Sequence, residues 1–92
     1  MTNIPIRESE AVSVEAQIRE LFAALLQVPP AEIHDGTKPS SLERWDSMQH
    51  LILVSGFEEE FGIDVDPMEA VDMYEGFGVF RRVIQEKLEG RR

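Results

Sequence analysis

The hydrophobic positions in the first third of the chain recur at the spacing of one helix face. The residues that keep this spacing are Val14, Ile18, Leu21, Phe22, Leu25 and Val28. Ser13 is a suitable N-cap residue for such a helix, and Pro29 with Pro30 ends it, because proline cannot continue the helical hydrogen-bond pattern. Residues 1–11 lack the period, so we predict a flexible N-terminal tail there.

A second helix is predicted from Ser47 to about Phe61, with Gly62 at its C-terminal end. The side expected to face the core carries Leu53, Val54, Phe57 and Phe61. The opposite side carries Met48, Ile52, Ser55 and Glu59, with Leu51 at the boundary. Single exposed apolar residues are ordinary on protein surfaces, but an apolar strip bordered by acids favours a partner-binding surface.

The segment between these helices predicts a long ordered loop. Residues 31–44 contain glycine, proline and serine in place of a helical period. Ile33 and Leu42 are the apolar residues expected to anchor this loop in the core, and Trp45 is expected to pack against the bundle beside them. Loops of this length inside a small domain are usually functional or disordered.

The C-terminal third predicts one short and one longer helix. Pro67 suits the first turn of a short helix that ends near Met73, with Asp66 as its cap. In the last helix, Gly76 and Gly78 leave the start undefined. Its residues expected to point inward are Phe77, Phe80, Val83, Ile84 and Leu88. We therefore predict an all-α fold over residues 12–88, a small bundle of three main helices and one short helix, with a C-terminal tail at 89–92.

Composition limits the possible partners. The 92 residues suffice for one domain, and the net charge of −9 disfavours nucleic acid and anionic membranes while favouring basic protein surfaces. The chain has no cysteine, no apolar run long enough to cross a bilayer and no signal-peptide pattern. These features predict a cytoplasmic monomer without disulfides.

The acidic residues are concentrated around the second helix and the segment that follows it. Between positions 46 and 75 there are nine acids and no lysine or arginine. Glu58, Glu59 and Glu60 fall at the C-terminal end of the predicted helix, where the helix dipole makes each unfavourable by about 0.3–1 kcal/mol. Residues that cost stability at their own position are candidates for docking a basic partner.

The start of the second helix combines an acid and a serine. Asp46 with Gln49 fits a capping box, in which the carboxylate accepts from a first-turn amide and the glutamine side chain reaches back. Ser47 in the first turn would project its hydroxyl toward solvent, where free amides and the positive end of the helix dipole suit an attached phosphodiester. The dipeptide Asp-Ser alone is weak evidence for a functional site. It becomes informative only together with the residues that surround it.

Other chemistry receives less support. His50 lies one turn after Ser47 and could meet a phosphate, but its helical position also suits packing at the top of the helix. A Ser47–His50 nucleophilic pair lacks a third orienting group and an oxyanion motif. The acidic segment after the second helix lacks the glycine of a calcium loop. We therefore predict no catalytic residue and no metal site.

The stretch around Ser47 resembles the acyl carrier protein family. The features that carry the likeness span residues 12–88, and the most specific are Trp45-Asp46-Ser47-Met48, Leu51 and the run from Glu58 to Ile63. The resemblance implies a non-enzymatic carrier in which Ser47 receives 4′-phosphopantetheine from coenzyme A by a Mg²⁺-dependent phosphopantetheinyl transferase, with Asp46 helping to position that reaction. The thiol of the prosthetic group would carry acyl or aminoacyl thioesters, which explains a chain without cysteine.

The family also implies a docking surface on the second helix. Carried onto this chain it comprises Met48, Leu51, Ile52, Ser55, Glu58 and Glu59, facing basic surfaces on enzymes that load and transfer the cargo. Gln49 and Ile52 stand where housekeeping fatty-acid carriers usually have acids. The Trp-Asp-Ser-Met form with His50 is closer to free-standing carriers of specialised, polyketide or peptide-synthetase-like pathways. The alternative hypothesis is an unmodified adaptor that keeps this fold and binds a protein through Met48, Leu51 and Ile52.

Overall fold

A computed structural model describes residues 6–90 of the chain. Within that range there are four α-helices and no strands, which confirms the all-α prediction; the helices are α1 (Ile6–Leu26), α2 (Ser47–Phe61), α3 (Pro67–Met73) and α4 (Phe77–Glu89). The loop after α1 contains two short 3-10 turns, Pro30–Glu32 and Pro39–Ser41. None of these helices has both the length and the apolarity that a membrane-crossing segment needs.

The first helix begins earlier than its hydrophobic period predicts. It starts at Ile6, so Ser13 lies inside the helix and the prediction of Ser13 as N-cap is wrong. Residues 6–11 are helical, and residues 1–5 of the predicted tail lie outside the described residues. The stretch after Pro5 contains Arg7, Glu8, Glu10 and Ala11, which favour helix even without an apolar face. At the C-terminal end of α1, Gln27 adopts a left-handed backbone conformation, with φ at 62°, two residues before Pro29.

Phe22 of α1 stands at the centre of an aromatic core. Its ring meets Trp45, Phe77 and Phe80 edge-on, with centroids 4.9, 4.8 and 5.0 Å away. Trp45, at the end of the loop, is 1% exposed. The other two predicted loop anchors, Ile33 and Leu42, are also buried in this core. The long loop is therefore fixed at several points, as its apolar residues predicted.

The start of α4 is defined by contacts with the loop rather than by local sequence. The amides of Phe77 and Gly78 donate to the carbonyls of Thr37 and Asp35, at 2.8 and 3.2 Å. A β-carbon on Gly78 would lie 3.1 Å from the Asp35 carbonyl oxygen, so glycine permits this close approach. The loop thus supplies acceptors for the first amides of the helix, which otherwise lack partners.

Arg81 joins the same loop to α4 through its side chain. Its guanidinium donates to both carboxylate oxygens of Asp35, at 2.9 and 3.1 Å, and lies 3.8 Å from a carboxylate oxygen of Glu15 on α1. The bond to Asp35 raises the pKa of Arg81. No sequence pattern indicates this cluster, because Glu15, Asp35 and Arg81 are far apart in the chain.

The short helix α3 has the predicted cap. Asp66 accepts from the Glu69 amide at 3.0 Å, and the Glu69 side chain accepts from the Asp66 amide at 3.1 Å. Glu69 also pairs with Lys87 of α4, with 2.7 Å between the charged atoms. The acids of this segment thus cap and position α3, beside the first turn of α2.

Candidate functional site

Ser47 is the first residue of α2 and is exposed to solvent. Asp46 is the N-cap, and its carboxylate accepts from the Gln49 amide at 2.8 Å. Among the described residues the Gln49 side chain makes no bond back to Asp46, so only half of the predicted capping box forms. Among the side chains that the structure describes, those of residues 14–90, the Ser47 hydroxyl has no hydrogen-bond partner. The geometry leaves it free to be modified.

A groove between α2 and α3 opens beside Ser47. It has a volume of about 550 Å³, and its lining is apolar apart from two residues of α2 and the hydroxyl of one tyrosine; it comprises Ser47, Met48, His50, Leu51, Pro67, Ala70, Val71 and Tyr74. The α2 side of this groove consists of residues singled out from the sequence as candidate site residues, whereas the α3 side does not. No spacing in the sequence marked the α3 residues; in the structure Val71 of that helix is exposed although apolar.

The outward face of α2 carries the predicted apolar strip. Met48 is 72% exposed and Ile52 48%, and Leu51, placed at the boundary by its helical position, is 67% exposed. Ser55 and Glu59 are exposed on the same helix. Met48 and Leu51 of this face also line the groove with Val71 of α3, so apolar side chains of both helices lie beside the serine.

His50 is a buried residue of this site. Its Nδ1 accepts from the indole N–H of Trp45 at 3.1 Å, and its Nε2–H donates to the carbonyl of Ala70 at 2.7 Å. Burial lowers its pKa, although the bond to Ala70 opposes this shift. Both ring nitrogens are engaged within the protein, so the geometry favours the packing role over contact with a phosphate.

Glu58 differs from its two neighbours at the end of α2. Its side chain is half-buried and accepts from the Val65 amide at 2.8 Å. Glu59 and Glu60 are exposed. The unfavourable position of Glu58 at the negative end of the helix dipole therefore has a structural explanation, and the argument from dipole cost to partner docking applies only to the other two.

Residues 16–77 match the family model described as the phosphopantetheine attachment site. The match covers well over half of the chain and includes α2, α3 and the groove between them. The chain belongs to the phosphopantetheine attachment family. This membership confirms the resemblance to acyl carrier proteins and the acyl-carrier-like bundle. Domains of this kind are carriers rather than enzymes, and their prosthetic group is covalently bound 4′-phosphopantetheine.

The residues at the start of α2 fit such a group. A carrier domain needs an accessible hydroxyl for a phosphodiester, and Ser47 provides one in a first turn whose dipole favours negative charge. The apolar groove next to it is accessible to an attached chain. A phosphopantetheine carrier works with a phosphopantetheinyl transferase and with biosynthetic enzymes.

Proposed function

We propose that Ser47 carries the phosphopantetheine arm and that this chain delivers acyl or aminoacyl thioesters to biosynthetic enzymes. The observation that supports the assignment most is the position of Ser47. It is exposed, unpaired within the described residues, and located at the mouth of an apolar groove inside the matched segment. Other exposed serines of that segment, such as Ser55, do not line this groove.

Attachment requires little chemistry from this chain. The Ser47 hydroxyl would attack the phosphorus that carries the pantetheine half of coenzyme A, forming a phosphodiester while the nucleotide half leaves. The transferase supplies Mg²⁺ and the base that takes the proton. Asp46 holds the first turn in place through its bond to the Gln49 amide, and its exposed carboxylate is available to the transferase. The attached group supplies a thiol, which holds cargo as a thioester.

Partners would dock on α2. In this proposal Met48, Leu51 and Ile52 supply the apolar contact area, while Ser55, Glu58 and Glu59 form its polar border. The Glu58 carboxylate also accepts from the Val65 amide, so only its exposed part is available to a partner, whereas Glu59 faces solvent. The acidic border suits enzymes with basic docking surfaces. The apolar strip near the serine fits a carrier of a specialised pathway, polyketide or peptide-synthetase-like, in the cytoplasm.

The test is the intact mass of the chain after incubation with a promiscuous phosphopantetheinyl transferase, Mg²⁺ and coenzyme A. We expect the gain of one phosphopantetheine group. Ser47→Ala should abolish the gain, whereas Ser55→Ala, which removes an exposed hydroxyl from the same helix, should retain it.

The alternative hypothesis, an unmodified adaptor, predicts no gain in mass. Folded protein that gains no mass under these conditions would favour the adaptor, with Ser47 serving only as the first residue of the helix. A mass gain that persists in Ser47→Ala would place the arm on another residue. The two outcomes separate a wrong function from a wrong site.

A further inference from the structure

His50 connects three elements that meet beside Ser47. It belongs to α2, its Nδ1 accepts from Trp45 in the loop, and its Nε2–H donates to Ala70 in α3. Its ring also contacts Tyr74 at the end of α3, with ring centroids 4.8 Å apart. Ala70 and Tyr74 both line the groove.

The Ala70 carbonyl is a group that needs a partner from outside its helix. It lies in the last turn of α3, and the amide four residues on, that of Tyr74, donates to Val71 instead, at 3.1 Å. Carbonyls at a helix end are satisfied by caps, side chains or water. His50 therefore serves as a C-terminal cap for α3, supplied from another helix.

The position of the short helix α3 depends on contacts with other elements, such as the bond from His50. Seven residues are too few to be a stable helix alone, so tertiary contacts fix its position. The contacts that hold α3 include buried Met73, the Glu69–Lys87 ion pair and the bond from His50. Of these three, the bond from His50 ties α3 directly to the first turns of α2.

We infer that His50 is a positioning residue that fixes α3 against the start of α2 and thereby sets the shape of the groove next to Ser47. This role is independent of whether Ser47 is modified. It requires a neutral imidazole, since Nδ1 must be free to accept from the Trp45 indole. Protonation would set two N–H groups against each other and break that bond.

The surroundings of the ring favour the neutral form. The groups packed against it are Trp45 from the loop, Tyr74 from α3 and Phe80 from α4. Tyr74 is the ionisable group among them, and no carboxylate or cationic side chain of the described residues contacts the imidazole. Burial lowers the pKa of His50, so the unfolded chain binds a proton at a higher pH than the folded chain does. The contribution of His50 is thus complete above about pH 6.5 and is lost as the pH falls through the lower folded value.

Hydrogen exchange of the unmodified chain, resolved by residue and corrected for intrinsic rates, tests this role. In His50→Leu, which loses both bonds, we expect the protected amides of α3 to exchange about tenfold faster or more, while those of α1 and the second half of α2 keep their protection. His50→Gln can still accept and donate, so it should retain much of the α3 protection. In the wild type, α3 protection should fall as the pH is lowered from about 6.5 through the depressed pKa of His50, and over the same range it should be flat in His50→Gln.

Three results would overturn the proposal. Equal loss of protection in α1, α2 and α3 of His50→Leu would make His50 an ordinary core residue. Unchanged α3 protection in that variant would show that the bond to Ala70 does not position the helix. If His50→Leu does not fold, the comparison of wild type with His50→Gln decides, and the same pH dependence in both would refute the role. The protein carries no phosphopantetheine in any of these experiments, so their outcome does not depend on the proposed function.

Discussion

Asp46 and Ser47 combine a helix cap with the proposed attachment site in two consecutive residues. The Asp46 carboxylate caps α2 through the Gln49 amide and so defines the residue at which the helix begins. Because Ser47 is then the first helical residue, its side chain points away from the core and stays exposed. The cap therefore determines the accessibility of the proposed attachment hydroxyl.

A substitution at Ile52 can test the proposed partner binding without lowering the stability of the fold. Its side chain is 48% exposed, so Ile52→Glu should leave the thermal unfolding midpoint within a few degrees of the wild type. The new charge interrupts the apolar strip, so the kcat/KM of the transferase for the chain should fall about tenfold, as for loss of a central apolar contact. Both quantities are measured on the same preparation.

Gln17→Glu is the matched control for Ile52→Glu. It adds the same charge to an exposed position of α1, away from the strip. We expect it to change neither the midpoint nor kcat/KM appreciably. A midpoint lowered strongly in Ile52→Glu alone would assign Ile52 to the core and contradict the docking role.

At the scale of elements, the helix ends differ in how far local sequence determines them. Gly62 ends α2 in the left-handed region, with φ at 64°, as a glycine after the last periodic residue predicts. Asp66 and Pro67 likewise define the start of α3. The start of α4 is different, since its first amides bond to loop carbonyls from a distant part of the chain. No local pattern could predict that start.

Gly78→Ala tests this contact between loop and helix. Alanine favours helix over glycine by about 1 kcal/mol, but the new β-carbon would lie 3.1 Å from the Asp35 backbone oxygen. Because backbone yields less readily than a side-chain end, we expect a net loss of about 1 kcal/mol in the free energy of unfolding, measured in urea. A gain of similar size would show that the loop moves away without cost.

Only the α2 residues of the candidate site could be predicted from the sequence. Helical period and capping placed Ser47, Asp46 and the outward face of α2 correctly relative to the core. The α3 wall of the groove and the two bonds of His50 depend on how α2, α3 and the loop pack, which no spacing within one element specifies. The bond from the Val65 amide to Glu58 was unpredictable for the same reason, because it depends on the path of the chain after α2.

For the whole molecule, the charge is unevenly distributed. The segment that contains α2 and α3 carries nine acids and no basic residue, while α4 carries Arg81, Arg82 and Lys87. Arg81 and Lys87 pair with Asp35 and Glu69, and no salt bridge among the described residues involves Glu59 or Glu60. The segment that carries Ser47 therefore has a net negative charge.

This excess of negative charge predicts a salt dependence of modification. Raising the ionic strength from about 0.05 to about 0.5 M shortens the screening length severalfold and weakens attraction to a basic transferase. We expect kcat/KM for Ser47 modification to fall markedly while kcat changes little, because encounter and not chemistry is affected. A Michaelis analysis at several salt concentrations, with a small pantetheine-accepting peptide of low charge as control, checks this. Equal effects of salt on chain and peptide would contradict steering.

Trp45 gives the molecule an internal optical reporter. It is the single tryptophan of the chain and is buried between Phe22 and Tyr74. Its indole N–H donates to the ring of His50, and it precedes Ser47 by two residues. Selective excitation above the tyrosine absorption therefore reports on one location, the junction of the loop with α2. A change in emission when an arm is attached, a cargo loaded or an enzyme docked could be followed in real time without any label.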